Sequence, residues 1–203
     1  MVPEATLVTV LRHGEVAGRA HVYRGALDEP MTEAGMAQVR RVAERMARPP
    51  FDLVACSPLS RCQTFAASYA RQLACPLEVH EAFSEMRFGG WEGLTPDEAA
   101  VRDPGQHGAF RTGDDQVAAP GGESLAGLRA RVRRGWASWL ADARGGHRLL
   151  VTHAGVMRAL LVELAGLDPA RIYRVALPEA AHFQVSVLAG ESPVLLNLNP
   201  CAG

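Results

Sequence analysis

The sequence predicts a single α/β domain that spans residues 1–203. Short apolar segments, typical of buried strands, alternate along the chain with longer segments whose apolar residues recur at helical spacing. A chain of 203 residues with 48% hydrophobic residues is long enough to bury a substantial core. We find no internal repeat and no linker-like stretch that would divide the chain, so one domain is expected.

The N-terminal half of the chain contains three predicted strands and two predicted helices. The strands are expected at residues 7–11, 51–56 and 76–80, and the helices at residues 30–47 and 57–74. Thr32 is the expected N-cap of the first helix. Ser57 is the expected N-cap of the second helix, and Pro58 stands at its first helical position.

The C-terminal half begins with residues 99–122, which are rich in Gly, Asp and Pro. We expect this segment to be a surface insertion or lid with little regular structure. A long amphipathic helix follows from residue 123 and is predicted to stop at Gly145-Gly146. The remaining predicted elements are a strand at 148–152, a helix at 156–166, and strands at 182–188 and 194–199.

The overall composition argues against several classes of partner. The formal net charge is −1, which gives no electrostatic case for binding nucleic acid or an anionic membrane. No stretch approaches the length of a membrane span, and "MVPEATLVTV" lacks the pattern of a signal peptide. The cysteines (Cys56, Cys62, Cys75 and Cys201) show no CxxC spacing, and we expect reduced, mostly buried thiols in a cytoplasmic protein.

Charged residues follow three of the predicted strands at the point where each strand ends. Arg12 and His13 follow the first strand, Arg61 lies in the first turn after the second, and His153 follows "RLLVT". Ligands of open α/β sheets bind outside the carboxyl ends of the strands, so these side chains are expected at one edge. A bound anion would suit both a helix N-terminus and two guanidinium groups. The pattern predicts a phosphate pocket.

Each of these residues also has a plainer interpretation. A histidine after a strand is commonly bonded to a backbone group, and an arginine in a first helical turn is commonly solvated. Metal binding is a competing use for the two histidines, but no HxH, HExxH or carboxylate cluster accompanies them, and two arginines would repel a cation. We therefore predict no metal and no cofactor. The other histidines are expected to be structural: His21, His80, His107, His147 and His182.

Five blocks of the sequence together resemble the histidine phosphatase superfamily, also called phosphoglycerate-mutase-like. In chain order the blocks are "LRHGE", "SPLSRCQT", "EMRFGGWEG", "PGGESL" and "VTHAGVMRALL". The resemblance covers nearly the whole chain. It implies a three-layer α/β/α sandwich with a mostly parallel, mixed sheet. Within the family, "YRGALDEPMTEAG", "FGGWEG" and the compact length look most like the α-ribazole phosphatases, which act in cobalamin synthesis.

The resemblance also implies catalytic roles. His13 matches the nucleophile that forms a phosphohistidine, which requires a neutral imidazole with one nitrogen free. Arg12, Arg61 and His153 match the groups that hold the phosphoryl oxygens, whose charge they would stabilise without magnesium. Glu85 matches the proton donor to the leaving oxygen. Glu81 and Glu92 are nearby alternatives for that donor, with surface solvation as their plainer role.

Further residues are expected to bind substrate. Ala154 and Gly155 would permit close approach of the backbone to the phosphate, as would Gly14 on the other side. Arg24 and Gly25 lie where relatives contact substrate. Arg19 stands where many relatives have asparagine, and it would contact the phosphate, contact a second acidic group, or point to solvent. Ala154 stands where glycine is commoner. Both departures weaken any substrate specificity copied from relatives.

The expected function is hydrolysis of a small phosphate ester, with α-ribazole 5′-phosphate as the first candidate. The alternatives are a phosphoglycerate mutase or a sugar-phosphate phosphatase of the same family, and a non-catalytic phosphate-binding module. A mutase must exclude water from its phosphohistidine, and this chain has only about two dozen residues between the Glu85 block and "GGESL" to serve as a lid. A homodimer is left open as the assembly.

Overall fold

The structure is a computed structural model that describes residues 4–199, and the alternation of strands and helices is confirmed there. The strands are β1 Thr6–Arg12, β2 Leu53–Cys56, β3 Leu77–Val79, β4 His147–Thr152, β5 His182–Val187 and β6 Val194–Asn199. The helices are α1 Glu33–Met46, α2 Ser60–Leu73, α3 Pro96–Arg102, α4 Pro104–Arg111, α5 Leu125–Leu140 and α6 Ala154–Ala165. Short 3₁₀ helices lie at Glu81–Phe83, Gly89–Trp91 and Pro169–Arg174.

The strands form one mixed sheet in the order β3-β2-β4-β1-β5-β6. Strands β3, β2, β4 and β1 pair in parallel, whereas β5 and β6 are antiparallel to their neighbours. Parallel pairing brings the carboxyl ends of β1, β2 and β4 to one edge, as the sequence predicts. That edge carries Arg12, His13 and His153, and α2 begins beside it with Arg61 in its first turn.

Helices cover both faces of the sheet, which confirms the three-layer sandwich. Successive strand residues point to opposite faces. On β4, Leu149 and Val151 pack with the buried residues of α1 and α2. Leu150, between them, packs with α5 and α6. None of the helices in the described chain combines the length and the apolar character that crossing a bilayer requires.

Several element boundaries differ from the predictions, and two of the differences involve residues named above. Helix α2 begins at Ser60 with Leu59 as its N-cap, so the assignment of Ser57 as N-cap is wrong. The Ser57 hydroxyl instead accepts a hydrogen bond from the Leu59 N–H at 3.2 Å and contacts His153. Helix α5 ends at Leu140, before Gly145-Gly146, since the chain turns through Ala141 to Gly146 before β4.

The prediction of little regular structure at residues 99–122 is also wrong, because the segment contains most of α3 and all of α4. Thr95 caps α3 and forms a capping box with Glu98, and Pro104 begins α4. The glycine content of the segment argued against a helix, but Gly105 and Gly108 lie within α4. A Cβ at either position would meet no atom within 4 Å, so packing does not require glycine there. Phe110 of this helix is buried in the core.

The described cysteines carry free thiols, as expected. Cys56 and Cys62 are buried, and Cys75 is half-buried. Burial raises the pKa of the Cys56 thiol to about 12 and raises that of Cys62 well above its usual value, so both stay protonated. Cys201 lies outside the described residues.

Candidate active site

A cavity of about 220 Å³ opens at the carboxyl edge of the sheet. Its charged lining is almost entirely cationic and consists of Arg12, Arg24, Arg61, Arg111 and Arg158, with Glu85 as the carboxylate. Its aromatic lining consists of Tyr23, Phe88, Phe110 and Tyr173. His13 also lines this cavity. The excess of guanidinium groups makes the cavity a site for an anion.

His13 is buried, with 5% of its surface exposed, and is held in one tautomer. Its Nδ1 lies 2.8 Å from the carbonyl oxygen of Gly14. A carbonyl only accepts, so Nδ1 carries the proton and Nε2 keeps its lone pair. Burial lowers the pKa of His13 well below its usual value, and the positive charges of Arg12 and Arg61 lower it further. His13 is therefore a neutral imidazole with a free nitrogen at the cavity.

The two arginines next to His13 are anchored to the backbone. The Arg12 Nη1 donates to the Leu177 carbonyl at 2.7 Å, and the Arg12 Nε is buried without a hydrogen-bond partner. Arg61 is 1% exposed and donates to the carbonyls of Leu27 at 2.6 Å and Gly25 at 2.7 Å. Burial lowers the pKa of both guanidinium groups, which retain their charge. These contacts fix two positive charges beside the imidazole.

His153 lies between Arg61 and Ser57. The Arg61 Nε donates to the His153 Nδ1 at 3.2 Å, and the His153 Nε2 lies 2.8 Å from the Ser57 hydroxyl. An arginine only donates, so Nδ1 is the acceptor and Nε2–H donates to the serine in this structure. Burial, and then Arg61, lower the pKa of His153 well below its usual value. The rings of His13 and His153 lie 5.3 Å apart.

Glu85 lies between the cavity and the N-terminus of α6. Its Oε1 accepts from the Met86 N–H at 2.8 Å and its Oε2 from the Gly155 N–H at 3.3 Å. A Cβ on Gly155 would lie 2.2 Å from Glu85 Oε1, so this glycine makes room for the carboxylate. Of the alternatives, Glu81 lines a neighbouring cavity, and Glu92 accepts from the Phe88 N–H at 3.1 Å.

Arg131 of α5 fixes the segment that carries Glu85. Its guanidinium donates to the carbonyls of Ala82 at 2.9 Å, Ser84 at 2.8 Å and Glu85 at 3.1 Å. It also pairs in bidentate fashion with the Glu123 carboxylate at 2.9 and 2.7 Å. All five N–H groups of the guanidinium are thus engaged, which only arginine can achieve in this geometry.

The structure brings some predicted substrate-binding residues to the cavity and places others elsewhere. Arg24 and Gly25 line it, and Arg24 is ion-paired with Glu29. Arg19 does not line it: this exposed side chain pairs with Glu98 at 2.7 Å. The residues that line the cavity also do not include Gly14, Ala154, Gly155 or His153, and His153 is completely buried behind Arg61.

The reason for glycine at position 14 is packing against a helix. A Cβ there would lie 2.2 Å from the carbonyl oxygen of Gly35, so the residue permits the close approach of α1. The Gly14 carbonyl in turn holds His13. Gly14 therefore acts on the site through His13, and the close approach of its backbone to a phosphate stays a prediction.

Sequence reasoning missed several cavity residues. Arg111 lies in the segment for which no helix was expected, and Arg158 is a lone charge within the otherwise apolar run "VMRALLVELA". Tyr173 belongs to a 3₁₀ helix far along the chain. The charge of Arg158 could have indicated that this residue faces a polar site, because an arginine on an otherwise buried helical face needs a polar neighbour.

Comparisons of this chain with family profiles, with known sequences and with solved structures all point to the family that the sequence blocks resemble. Residues 8–200 match the profile of the histidine phosphatase superfamily, branch 1. A bifunctional protein of Mycobacterium tuberculosis is 34% identical over 178 residues, which are 87% of this chain and 49% of that protein. The chain thus spans about half the length of this relative.

Two further proteins are similar over most of their length. An adenosylcobalamin/alpha-ribazole phosphatase of Salmonella typhimurium is 26% identical over 182 residues, 89% of this chain and 90% of that enzyme. The solved structure of a mycobacterial glucosyl-3-phosphoglycerate phosphatase has a TM-score of 0.85 and 26% identity, covering 98% of this chain and 100% of that one. The profile match, with this shared fold, establishes that the chain belongs to the histidine phosphatase superfamily, branch 1.

Proposed function

We propose that the protein hydrolyses phosphomonoesters through a phosphohistidine on His13, without a metal ion. The observation that carries the proposal is the neutral His13 imidazole, whose free Nε2 faces an arginine-lined cavity. A nucleophile of this kind divides hydrolysis into two easier displacements. The family membership established above supports the same chemistry.

In the first displacement, the lone pair of His13 Nε2 attacks phosphorus and the bond from phosphorus to the leaving oxygen breaks. The leaving oxygen takes a proton from the Glu85 carboxyl group, which becomes a carboxylate. Arg12 and Arg61 stabilise the charge on the phosphoryl oxygens, since both lie beside His13. His13 keeps its Nδ1 proton, and the Gly14 carbonyl stabilises the positive ring that forms.

In the second displacement, water attacks the phosphorus of the phosphohistidine. Glu85, now ionised, takes a proton from this water, and the bond between nitrogen and phosphorus breaks to release phosphate and restore His13. His153 accepts from the Arg61 Nε through its Nδ1 and donates to the Ser57 hydroxyl through its Nε2, so its proposed role is to hold the Arg61 guanidinium in place.

Cationic side chains supply the charge stabilisation for which other phosphatases use magnesium or zinc. Hydrolysis of p-nitrophenyl phosphate should therefore proceed at an unchanged rate after exhaustive chelation with EDTA. A rate that falls on chelation and returns with added magnesium or zinc would contradict the metal-independent mechanism. Failure to hydrolyse any ester in a broad panel of phosphorylated metabolites would contradict the proposed function itself.

The substrate predicted from the sequence is α-ribazole 5′-phosphate, which would place the reaction in cobalamin synthesis in the cytoplasm. Support comes from the sequence blocks and from similarity to the Salmonella phosphatase. The aromatic side chains of Tyr23 and Phe88, which line the cavity and are only partly buried, are suited to stacking on a heteroaromatic base. The panel should include α-ribazole 5′-phosphate and 3-phosphoglycerate. Transfer of phosphate to an acceptor in place of release would favour a mutase.

A further inference from the structure

Three of the five N–H groups of the Arg61 guanidinium are engaged by the protein itself. Nη1 and Nη2 donate to the backbone carbonyls of Leu27 and Gly25, and Nε donates to the Nδ1 of His153. Within residues 4–199, each Nη nitrogen therefore keeps one N–H for the oxygens of a bound phosphoryl group. The direction of these two N–H groups depends on the three protein contacts, because Arg61 is almost completely buried.

The contact at Nε constrains the protonation of His153. Arginine only donates, so Nδ1 presents its lone pair and the single proton of the neutral ring lies on Nε2. Burial, and then Arg61, lower the pKa of His153 well below its usual value, which keeps the ring neutral. His153 is completely buried, and a buried N–H without an acceptor is costly. Holding Arg61 in this way therefore requires an acceptor beside Nε2.

Ser57 supplies this acceptor. Its hydroxyl oxygen lies 2.8 Å from the His153 Nε2 and is completely buried. The same oxygen accepts from the Leu59 N–H at 3.2 Å, which fixes the hydroxyl just before α2. Cys62 Sγ also lies 3.6 Å from Nε2, but sulfur is a weak acceptor, and Cys62 donates its own S–H to the Thr152 carbonyl at 3.5 Å.

We infer that Ser57 is a positioning residue that holds the Arg61 guanidinium on the phosphoryl group through His153. The inference rests on the proposed phosphatase function and adds to it a residue that does not touch substrate. Without the hydroxyl, the ring either leaves Nε2–H without an acceptor or carries a proton on Nδ1 that opposes the Arg61 Nε–H. Both arrangements weaken the contact that fixes the guanidinium, so its charge stabilises the transferred phosphoryl group less well.

Ser57→Ala and Ser57→Cys test the acceptor. Cysteine nearly keeps the volume of serine but accepts weakly, so it separates the hydrogen bond from packing. A buried donor without a partner changes an equilibrium roughly ten- to a hundredfold, and kcat/KM for p-nitrophenyl phosphate should fall by that factor in both variants. Ser60→Ala is the matched control, because the Ser60 hydroxyl has no hydrogen-bond partner within residues 4–199. Its kcat/KM should stay within about twofold of wild type.

A double-mutant cycle shows whether Ser57 acts through His153. His153→Asn removes Nε2 but keeps an amide oxygen near the position of Nδ1, which can accept from Arg61 without Ser57. In this background Ser57→Ala should change kcat/KM by less than about threefold, against roughly ten- to a hundredfold in wild type. An equal loss in both backgrounds would assign Ser57 to the Leu59 N–H and the start of α2, and would overturn the inference.

The positions of the ring protons can be observed directly in protein labelled with ¹⁵N-histidine. Long-range ¹H–¹⁵N correlation spectra should show His153 protonated on Nε2 and His13 protonated on Nδ1. His153→Asn identifies the His153 signals. The Nε2–H resonance should shift upfield in Ser57→Ala and Ser57→Cys and stay in place in Ser60→Ala, because only the first two lose the hydrogen bond. A wild-type His153 protonated on Nδ1, or a resonance unchanged in Ser57→Ala, would overturn the inference.

The outcomes separate the positioning role from the reaction. Wild-type protein that hydrolyses p-nitrophenyl phosphate, with no loss of kcat/KM in Ser57→Cys, would overturn the role of Ser57 and leave the proposed function standing. Wild-type protein that hydrolyses no phosphomonoester would overturn the function and the positioning of phosphate with it. In that case the spectra would still establish or refute the hydrogen bonds that join Ser57, His153 and Arg61.

Discussion

Two buried histidines at opposite ends of the sheet share most of their properties. His13 follows β1 at the carboxyl edge, whereas His147 begins the neighbouring parallel strand β4. His147 is completely buried, and its Nδ1 lies 2.7 Å from the Pro49 carbonyl, as that of His13 lies 2.8 Å from Gly14. Burial lowers the pKa of both. Both are therefore neutral Nδ1–H tautomers.

The difference between them is confined to Nε2. In His147 it lies 2.8 Å from the Thr9 hydroxyl, which also accepts from the Gln184 amide at 3.1 Å. The Nε2 of His13 has no such partner in the described chain and faces the cavity. Burial and a lowered pKa thus accompany a structural histidine as readily as a reactive one. What distinguishes the nucleophile is an unpaired nitrogen beside fixed positive charge.

The largest expected effect separates the two histidines by function. Asparagine keeps a donor near the position of Nδ1 and removes Nε2, so it tests the distinguishing atom alone. His13→Asn should lower kcat by at least roughly 10⁴-fold, because the nucleophile is lost. The measurement is steady-state hydrolysis of p-nitrophenyl phosphate, with circular dichroism to verify the fold. Activity within tenfold of wild type would show that His13 is not the nucleophile.

Glu85 provides the next largest effect. An alkoxide leaves poorly without a proton, so Glu85→Gln should lower kcat/KM for an alkyl phosphate by roughly two to four orders of magnitude. A nitrophenolate leaves readily, and its ester should be affected much less. Glu81→Gln is the matched control, because Glu81 lines a neighbouring cavity. Equal losses on both esters would assign Glu85 to phosphate positioning, and a selective loss in Glu81→Gln or Glu92→Gln would move the role there.

Arg131 should have a smaller effect of the same kind. Lysine keeps the charge but cannot reproduce five hydrogen bonds to Glu123 and the Glu85 segment. Arg131→Lys should lower kcat/KM for an alkyl phosphate about tenfold more than for p-nitrophenyl phosphate, because it acts through Glu85. Arg133→Lys is the control, since Arg133 is on the same helix, is exposed, and pairs only loosely with Glu163 at 3.6 Å. A uniform loss on both esters would indicate a general structural role.

The smallest effect on catalysis is expected at His147. His147→Asn leaves the Thr9 hydroxyl without its acceptor, which should lower the free energy of unfolding by about 1–3 kcal/mol. The value of kcat/KM should change by less than about threefold. Urea denaturation and hydrolysis assays measure the two quantities. A large loss of activity without a loss of stability would remove the contrast between the two histidines.

The fold and the central charges could be predicted from sequence because both follow from local patterns. Apolar strands that end in Arg12-His13 and in His153 place these side chains at one edge as soon as the strands are parallel. The role of Ser57 could not be predicted, since its hydrogen-bond partner lies 96 positions away and an N-cap was the simpler local use. The contact between Arg111 and Tyr173 could not be predicted, because it forms only in the folded protein. Arg111 lies on α4, a helix that the Gly-, Asp- and Pro-rich composition of its segment did not indicate.

The most direct test of the account is to identify the residue that carries phosphate during turnover. Wild-type protein is quenched in alkali during hydrolysis of a phosphomonoester, digested, and analysed by tandem mass spectrometry. The account predicts an acid-labile, alkali-stable phosphoryl group on His13 and none on His147 or His153. A phosphoryl group on His153, or no phosphoryl enzyme during sustained turnover, would contradict the assignment of the free Nε2 of His13 as the nucleophile.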